Sequence, residues 1–199
     1  HKDQSTVSNF SGYIDAFMAL DYLSSDKKID IKKVGITGWS RGGMNSTYIS
    51  EKRMRDILIS KDLYYAAALP RSVDCESGGF FFMNPLPVKE TKTLMVNGEI
   101  DDVTPAAPCI EYGKRLKANG ANIKVITKKG WGHGFTANYE PSYERDSQVF
   151  TDCPPWYLRD DGTFNPESNY LWDDPCIGLG STIGGNKGSV FKKTFLKFF

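Results

Sequence analysis

Histidine is nearly missing from this sequence: two residues in 199, His1 at the terminus and His133. Any imidazole-dependent chemistry must therefore run through His133. Cysteine is sparse as well, with Cys75, Cys109, Cys153 and Cys176 only. None stands in a C-x-x-C pair, which argues against a zinc ribbon or a thioredoxin-type motif. There is no H-E-x-x-H and no cluster of His and Cys, so neither a metal nor a cofactor is expected. Neither sign of charge is in surplus: 25 Lys+Arg stand against 24 Asp+Glu, a net charge of +1. That balance gives no electrostatic reason to expect nucleic acid or an anionic membrane as partner. No run approaches the ~18 apolar residues of a membrane span. The opening His1-Lys2-Asp3-Gln4 is polar and carries no signal-peptide pattern, although the chain does not begin with Met and reads as part of something longer.

What is present is an ordinary compact-protein composition, 40% apolar and 13% aromatic, enough for one domain over residues 1–199. A helix is expected from about Ser8 to Ser25, where Phe10, Ile14, Phe17, Met18 and Tyr22 recur at helical spacing. A short strand over 34–38 leads into a second helix at about 43–55. Tyr65 to Pro70 and Thr93 to Asn97 read as buried strands. A helix over 107–119 closes at Gly120. Asn122 to Thr127 alternates as a strand, and a last helix covers about 188–199. Strands alternating with helices imply an α/β fold, a mostly parallel sheet with flanking helices. In such folds sites form beyond the carboxyl ends of the strands. Ser40, Asp101 and His133 each follow a predicted strand.

Residues 139–185 differ. They are rich in Pro, Asp, Asn, Gly and aromatics without a clear period, and read as an irregular but ordered excursion near the site's rim. Cys153 and Cys176 flank this segment and are the expected disulfide; the alternative is four free thiols packed as small apolar residues. The compartment is open between cytoplasm and periplasm or exterior, and a Cys153–Cys176 bridge would favour the latter. Gly178-Leu179-Gly180-Ser181 lacks the lysine of a phosphate loop and reads as a turn before the last helix. The Phe- and Lys-rich terminus reads as a helix packed on the sheet rather than on a membrane. The sequons at Asn9 and Asn45 fall in predicted helices and are treated as chance.

Gly38-Trp39-Ser40-Arg41-Gly42 matches G-x-S-x-G between a β-type run and a helical one, the context of a nucleophile elbow. Such a turn lifts a serine Oγ out of the sheet. It also leaves the N–H of the next residue, Arg41, to hold an oxyanion. Gly38 and Gly42 are read as steric requirements of the turn. A serine needs a base, and His133 in Gly130-Trp131-Gly132-His133-Gly134-Phe135 is the candidate. The acid that orients it is Asp101 or Asp102, both in the loop after a buried strand, with Glu99 more remote. The other Asp would cap the next helix or pair with a cation. The chain order Ser…Asp…His is that of the α/β-hydrolase fold. Trp39, Trp131 and Phe135 flank these residues and would line a substrate pocket or simply pack in the core.

With these residues assembled, the sequence resembles the dienelactone hydrolase family. The likeness rests on GWSRGG at 38–43, GEIDDVTP at 98–105 and GHGF at 132–135. It continues through 105–121 and reaches Ile183-Gly184-Gly185-Asn186. The resemblance implies a three-layer α/β-hydrolase fold and selects Asp101 as the acid. The founding members use cysteine where this chain has Ser40, which moves the expectation from lactones towards esters in general. Too few residues precede Val34 for the strands that the family sets before its nucleophile strand. The chain is therefore expected to be the C-terminal portion of the fold, with its nucleophile strand at a sheet edge. An N-terminal part, which normally gives the second oxyanion N–H, would be a missing segment or a separate chain. The expected activity is cleavage of small-molecule carboxylic esters or lactones through an acyl-enzyme. The alternatives are a prolyl-oligopeptidase-type serine peptidase and a non-catalytic, hydrolase-like binding protein.

Overall fold

The computed structural model describes residues 8–76, 80–153, 155–164 and 176–198, the last of these with side chains to 193. Four parallel strands form the main sheet in the order β1 (Gly35–Trp39), β2 (Ala67–Arg71), β3 (Lys92–Gly98) and β4 (Asn122–Lys128). The two central strands are buried almost throughout, as their unbroken apolar runs require. The outer strands alternate between partly covered and exposed positions. Among the described residues β1 has a neighbour on one side only, the sheet-edge position expected for the strand that leads into Ser40.

Side-chain alternation divides the core between the two faces of this sheet. Ala68 and Met95 face a large cluster with Tyr13, Phe17 and Leu20 of α1 (Asn9–Ser24), Met44 and Tyr48 of α2 (Arg41–Tyr48) and Tyr112 of α4 (Ala106–Ala118). Leu69, Leu94 and Val96 pack on the opposite face with Phe135 and with Phe191 of α5 (Gly188–Phe198). Helix, sheet and helix thus form three layers, and each fully buried large apolar side chain stabilises them by roughly 1.5–3 kcal/mol. The first helix is capped by Ser8, whose hydroxyl accepts from Ser11 N.

Three elements differ from the sequence reading. The helix expected over 43–55 is two: α2 stops at Tyr48 and α3 runs Lys52–Leu58. Between them Glu51 is extended and its buried carboxylate accepts from Arg53 N, capping α3, while Lys52 N donates to Leu86 O at 2.7 Å. The excursion over 139–185 is not wholly irregular: β5 (Ser142–Val149) and β6 (Gly178–Ile183) pair antiparallel. Gly178 to Ser181 is accordingly strand rather than turn. The expected Cys153–Cys176 bridge closes this hairpin beyond its paired strands, and Cys75–Cys109 forms a second disulfide. No helix among the described residues is long and apolar enough to cross a membrane.

Candidate active site

Ser40 directly follows β1 and stands at the N-cap of α2 with φ 55° and ψ −119°. Such a backbone costs a non-glycine residue about 1–3 kcal/mol and persists only where neighbours enforce it. Here Ser40 N donates to Arg71 O at 3.0 Å and Met44 N donates to Ser40 O at 2.9 Å. A Cβ on Gly38 would lie 1.9 Å from Gly42 O, so strand and helix close only over glycine. A Cβ on Gly42 would meet nothing within 4 Å, whereas one on Gly43 would lie 2.5 Å from Arg71 O. The steric demand expected of Gly42 therefore falls on Gly43. Arg41 opens α2, in the first turn where backbone N–H groups lack intrahelical acceptors.

The acid and base loops meet beyond β3 and β4. Glu99 N donates to Lys128 O at 3.0 Å and Ile100 N to Trp131 O at 3.1 Å. Exposed Glu99, the remote acid candidate, instead accepts from Gly130 N at 2.9 Å. This stitching brings His133 Nδ1 to 3.0 and 3.1 Å from the two carboxylate oxygens of Asp101. Asp101 and His133 are 4% and 3% exposed, so the pair is secluded from water. A buried carboxylate is tolerated only with its lone pairs engaged. Thr104 N donates to Asp101 Oδ1 at 2.8 Å and Thr104 Oγ1 to Oδ2 at 2.9 Å. Asp102 takes no part in this pair; it accepts the Ser181 hydroxyl.

The elbow reaches the base through Trp39, whose ring lies 5.2 Å from the His133 ring, centroid to centroid. Among the described residues no hydrogen bond joins Ser40 Oγ to His133. Catalytic hydrogen bonds often tighten only once substrate is bound. Of the other two aromatic candidates, Phe135 is 1% exposed and belongs to the core, and Trp131 packs on it at 4.7 Å. Both border a cleft of about 310 Å³ with Ile100, Glu140, Thr182 and Lys187, and that cleft is lined by neither Ser40 nor His133.

Two residues near the site were not singled out in the sequence. Arg71 follows a buried run like any strand-end residue. Its carbonyl holds Ser40 N, and its guanidinium donates to Thr136 Oγ1 at 2.8 Å, with burial pulling it below its ordinary pKa. Thr104 had one faint signal, its position three residues after an aspartate, where a side chain can hold a local backbone N–H.

The sequence pattern of the dienelactone hydrolase family matches residues 4–150. The match ends before β6, so Ile183 to Asn186 lie outside it. No curated protein matches the chain. Among solved structures, the chain is similar to a thermophilic esterase, Est2, from the Planctomycetes species Thermogutta terrifontis. Its propionate-bound form is 14% identical with a TM-score of 0.50, covering 67% of this chain and 59% of that one. The same esterase phosphorylated by paraoxon is 15% identical with a TM-score of 0.50, covering 67% and 57%. MGS-M1, an α/β-hydrolase enzyme from a Medee basin deep-sea metagenome library, is 18% identical with a TM-score of 0.51, covering 64% and 52%. These likenesses establish the α/β-hydrolase fold. The chain spans less than two thirds of the length of each of these structures.

Proposed function

The chain belongs to the dienelactone hydrolase family, and from that premise we propose that it is a serine hydrolase acting on small-molecule carboxylic esters or lactones. The observation that carries the reading is the secluded Asp101–His133 pair, set behind the tryptophan that precedes a strained Ser40. With Nδ1–H given to Asp101, His133 keeps Nε2 as the base. Ser40 Oγ attacks the acyl carbon while its proton passes to Nε2. The Arg41 N–H supports the negative charge on the carbonyl oxygen. The ester oxygen takes the proton from Nε2 and leaves as alcohol. Water then attacks the acyl carbon as its proton passes to Nε2; the bond to Ser40 Oγ breaks, the acid is released and Nε2 returns the proton to Oγ. Two disulfides favour an oxidising compartment, periplasm or exterior, for this chemistry.

A fluorophosphonate probe tests this reading. Labelling is expected at Ser40, located by mass spectrometry, and lost in Ser40→Ala and His133→Ala. The comparison should include the longest natural form of the protein, where any further strand can add a second oxyanion donor. Failure of that form to label at Ser40 would overturn the enzyme reading and leave a hydrolase fold used for binding.

A further inference from the structure

We propose that Thr104 is a positioning residue that fixes the Asp101 carboxylate, and through it the imidazole of His133. The assignment rests on the acid–base reading above. Thr104 engages Asp101 twice, by its N–H at Oδ1 and by its hydroxyl at Oδ2. The same Oγ1 lies 3.2 Å from His133 Nδ1. A hydroxyl has one proton and two lone pairs. Its proton goes to Asp101 Oδ2, so towards Nδ1 it offers only a lone pair. A carboxylate such as that of Asp101 likewise only accepts. Every group facing Nδ1 therefore accepts, and the proton on this ring must sit at Nδ1. The three side chains close a ring of hydrogen bonds that leaves Nε2 free for Ser40.

The two oxygens of Asp101 are nearly equidistant from Nδ1, at 3.0 and 3.1 Å. Such a shared contact is weaker than a single short one. It holds because Thr104 restrains both oxygens at once. Without the hydroxyl, Oδ2 loses its competing donor, the carboxylate turns on its remaining N–H bond, and Nδ1–H closes onto Oδ2. The imidazole follows and Nε2 moves off the line to Ser40. A hydroxyl that only filled space would have none of these effects.

The experiment compares the wild-type chain with Thr104→Val, which keeps the branched shape, and Thr104→Ser, which keeps the hydroxyl. Proton NMR reads the Nδ1–H of His133, assigned by its loss in His133→Gln; His1 is the other histidine. In Thr104→Val the resonance is expected to move downfield. The kcat for an aryl ester should fall about tenfold with KM unchanged, the scale of one hydrogen bond to a charged group. Thr104→Ser should restore both. An unmoved resonance in Thr104→Val, or no restoration in Thr104→Ser, overturns the proposal whatever happens to activity. A wild-type chain without a downfield Nδ1–H resonance overturns it too. The resonance does not depend on turnover, so a shift in Thr104→Val alongside an unlabelled wild-type Ser40 would sink the enzyme reading and leave this assignment standing.

Discussion

Ser181 on β6 donates its hydroxyl to Asp102, the neighbour of the residue that holds His133. Phe150 N and Thr151 Oγ1 both donate to Asp102 O, at 3.3 and 3.2 Å. Further along, Gly184 N donates to His133 O at 2.8 Å. The β5–β6 hairpin thus grips the acid loop and the base loop together. Asp101 and Asp102 sit side by side in sequence but face different partners, and their variants should separate. Asp101→Asn is expected to lower kcat for ester hydrolysis by up to about 10⁴-fold, because the imidazole loses its orienting charge. Asp102→Asn can still accept from Ser181, so its loss should stay within about tenfold. Steady-state kinetics on both variants decides the matter, and a larger effect at Asp102 would reverse the assignment.

Gly98 is the hinge between the buried strand and the acid loop. A Cβ there would lie 2.0 Å from Trp131 O, in the backbone of the base loop. Gly98→Ala must therefore push the two loops apart at the point where Ile100 N meets Trp131 O. Overpacking of this kind typically costs about 1–3 kcal/mol. The expected outcome is a lower Tm together with slower probe labelling at Ser40. Wild-type labelling at a lowered Tm would show that the strain is absorbed away from His133.

The two disulfides differ in access. Cys75 and Cys109 are 1% and 0% exposed, whereas Cys176, at the connecting end of the hairpin, is partly open. Graded reductant followed by alkylation and mass spectrometry should therefore open Cys153–Cys176 first. Its two cysteines are 23 residues apart in the chain. In the chain-entropy account, a loop of this size stabilises by about 3 kcal/mol. The double variant Cys153→Ser/Cys176→Ser should accordingly lose roughly 10 °C of Tm. Preferential opening of Cys75–Cys109 would contradict this order.

The elbow was legible in the sequence because its requirement is local and steric: glycines crowd a serine between a strand and a helix. Central strands were legible because burial on both faces leaves an unbroken apolar run, as in Leu94 to Val96. By contrast, β5 reads Ser-Tyr-Glu-Arg-Asp-Ser-Gln-Val and is mostly exposed. Its ladder to β6 is a tertiary fact with no apolar period to announce it. The break between α2 and α3 was hidden for a similar reason, since the partner of Lys52 N is Leu86, far along the chain. Asp101 and Asp102 could not be separated by composition, and only the resemblance chose between them. The contacts of Arg71 O with Ser40 N and of Thr104 Oγ1 with His133 Nδ1 depend on loop placement, which no spacing rule encodes.

Glu51 gives the fold a pH dependence of its own. Burial raises its carboxyl above the ordinary 4.5, and this outweighs the hydrogen bonds from Leu86 N and Arg53 N and the charge of Arg53. The folded protein therefore holds this proton more tightly than the unfolded chain does. Stability from Glu51 is fully present below the unfolded value and is lost as pH rises through the folded one. Glu51→Gln removes the titration and leaves an uncharged amide in the same place. Thermal or urea unfolding at about pH 4 and about pH 7 should show wild type losing more, or gaining less, on going to the higher pH than the variant does. The difference between the two changes isolates Glu51, since every other carboxylate titrates in both proteins. An equal change in the two would mean that Arg53 compensates the buried charge in full.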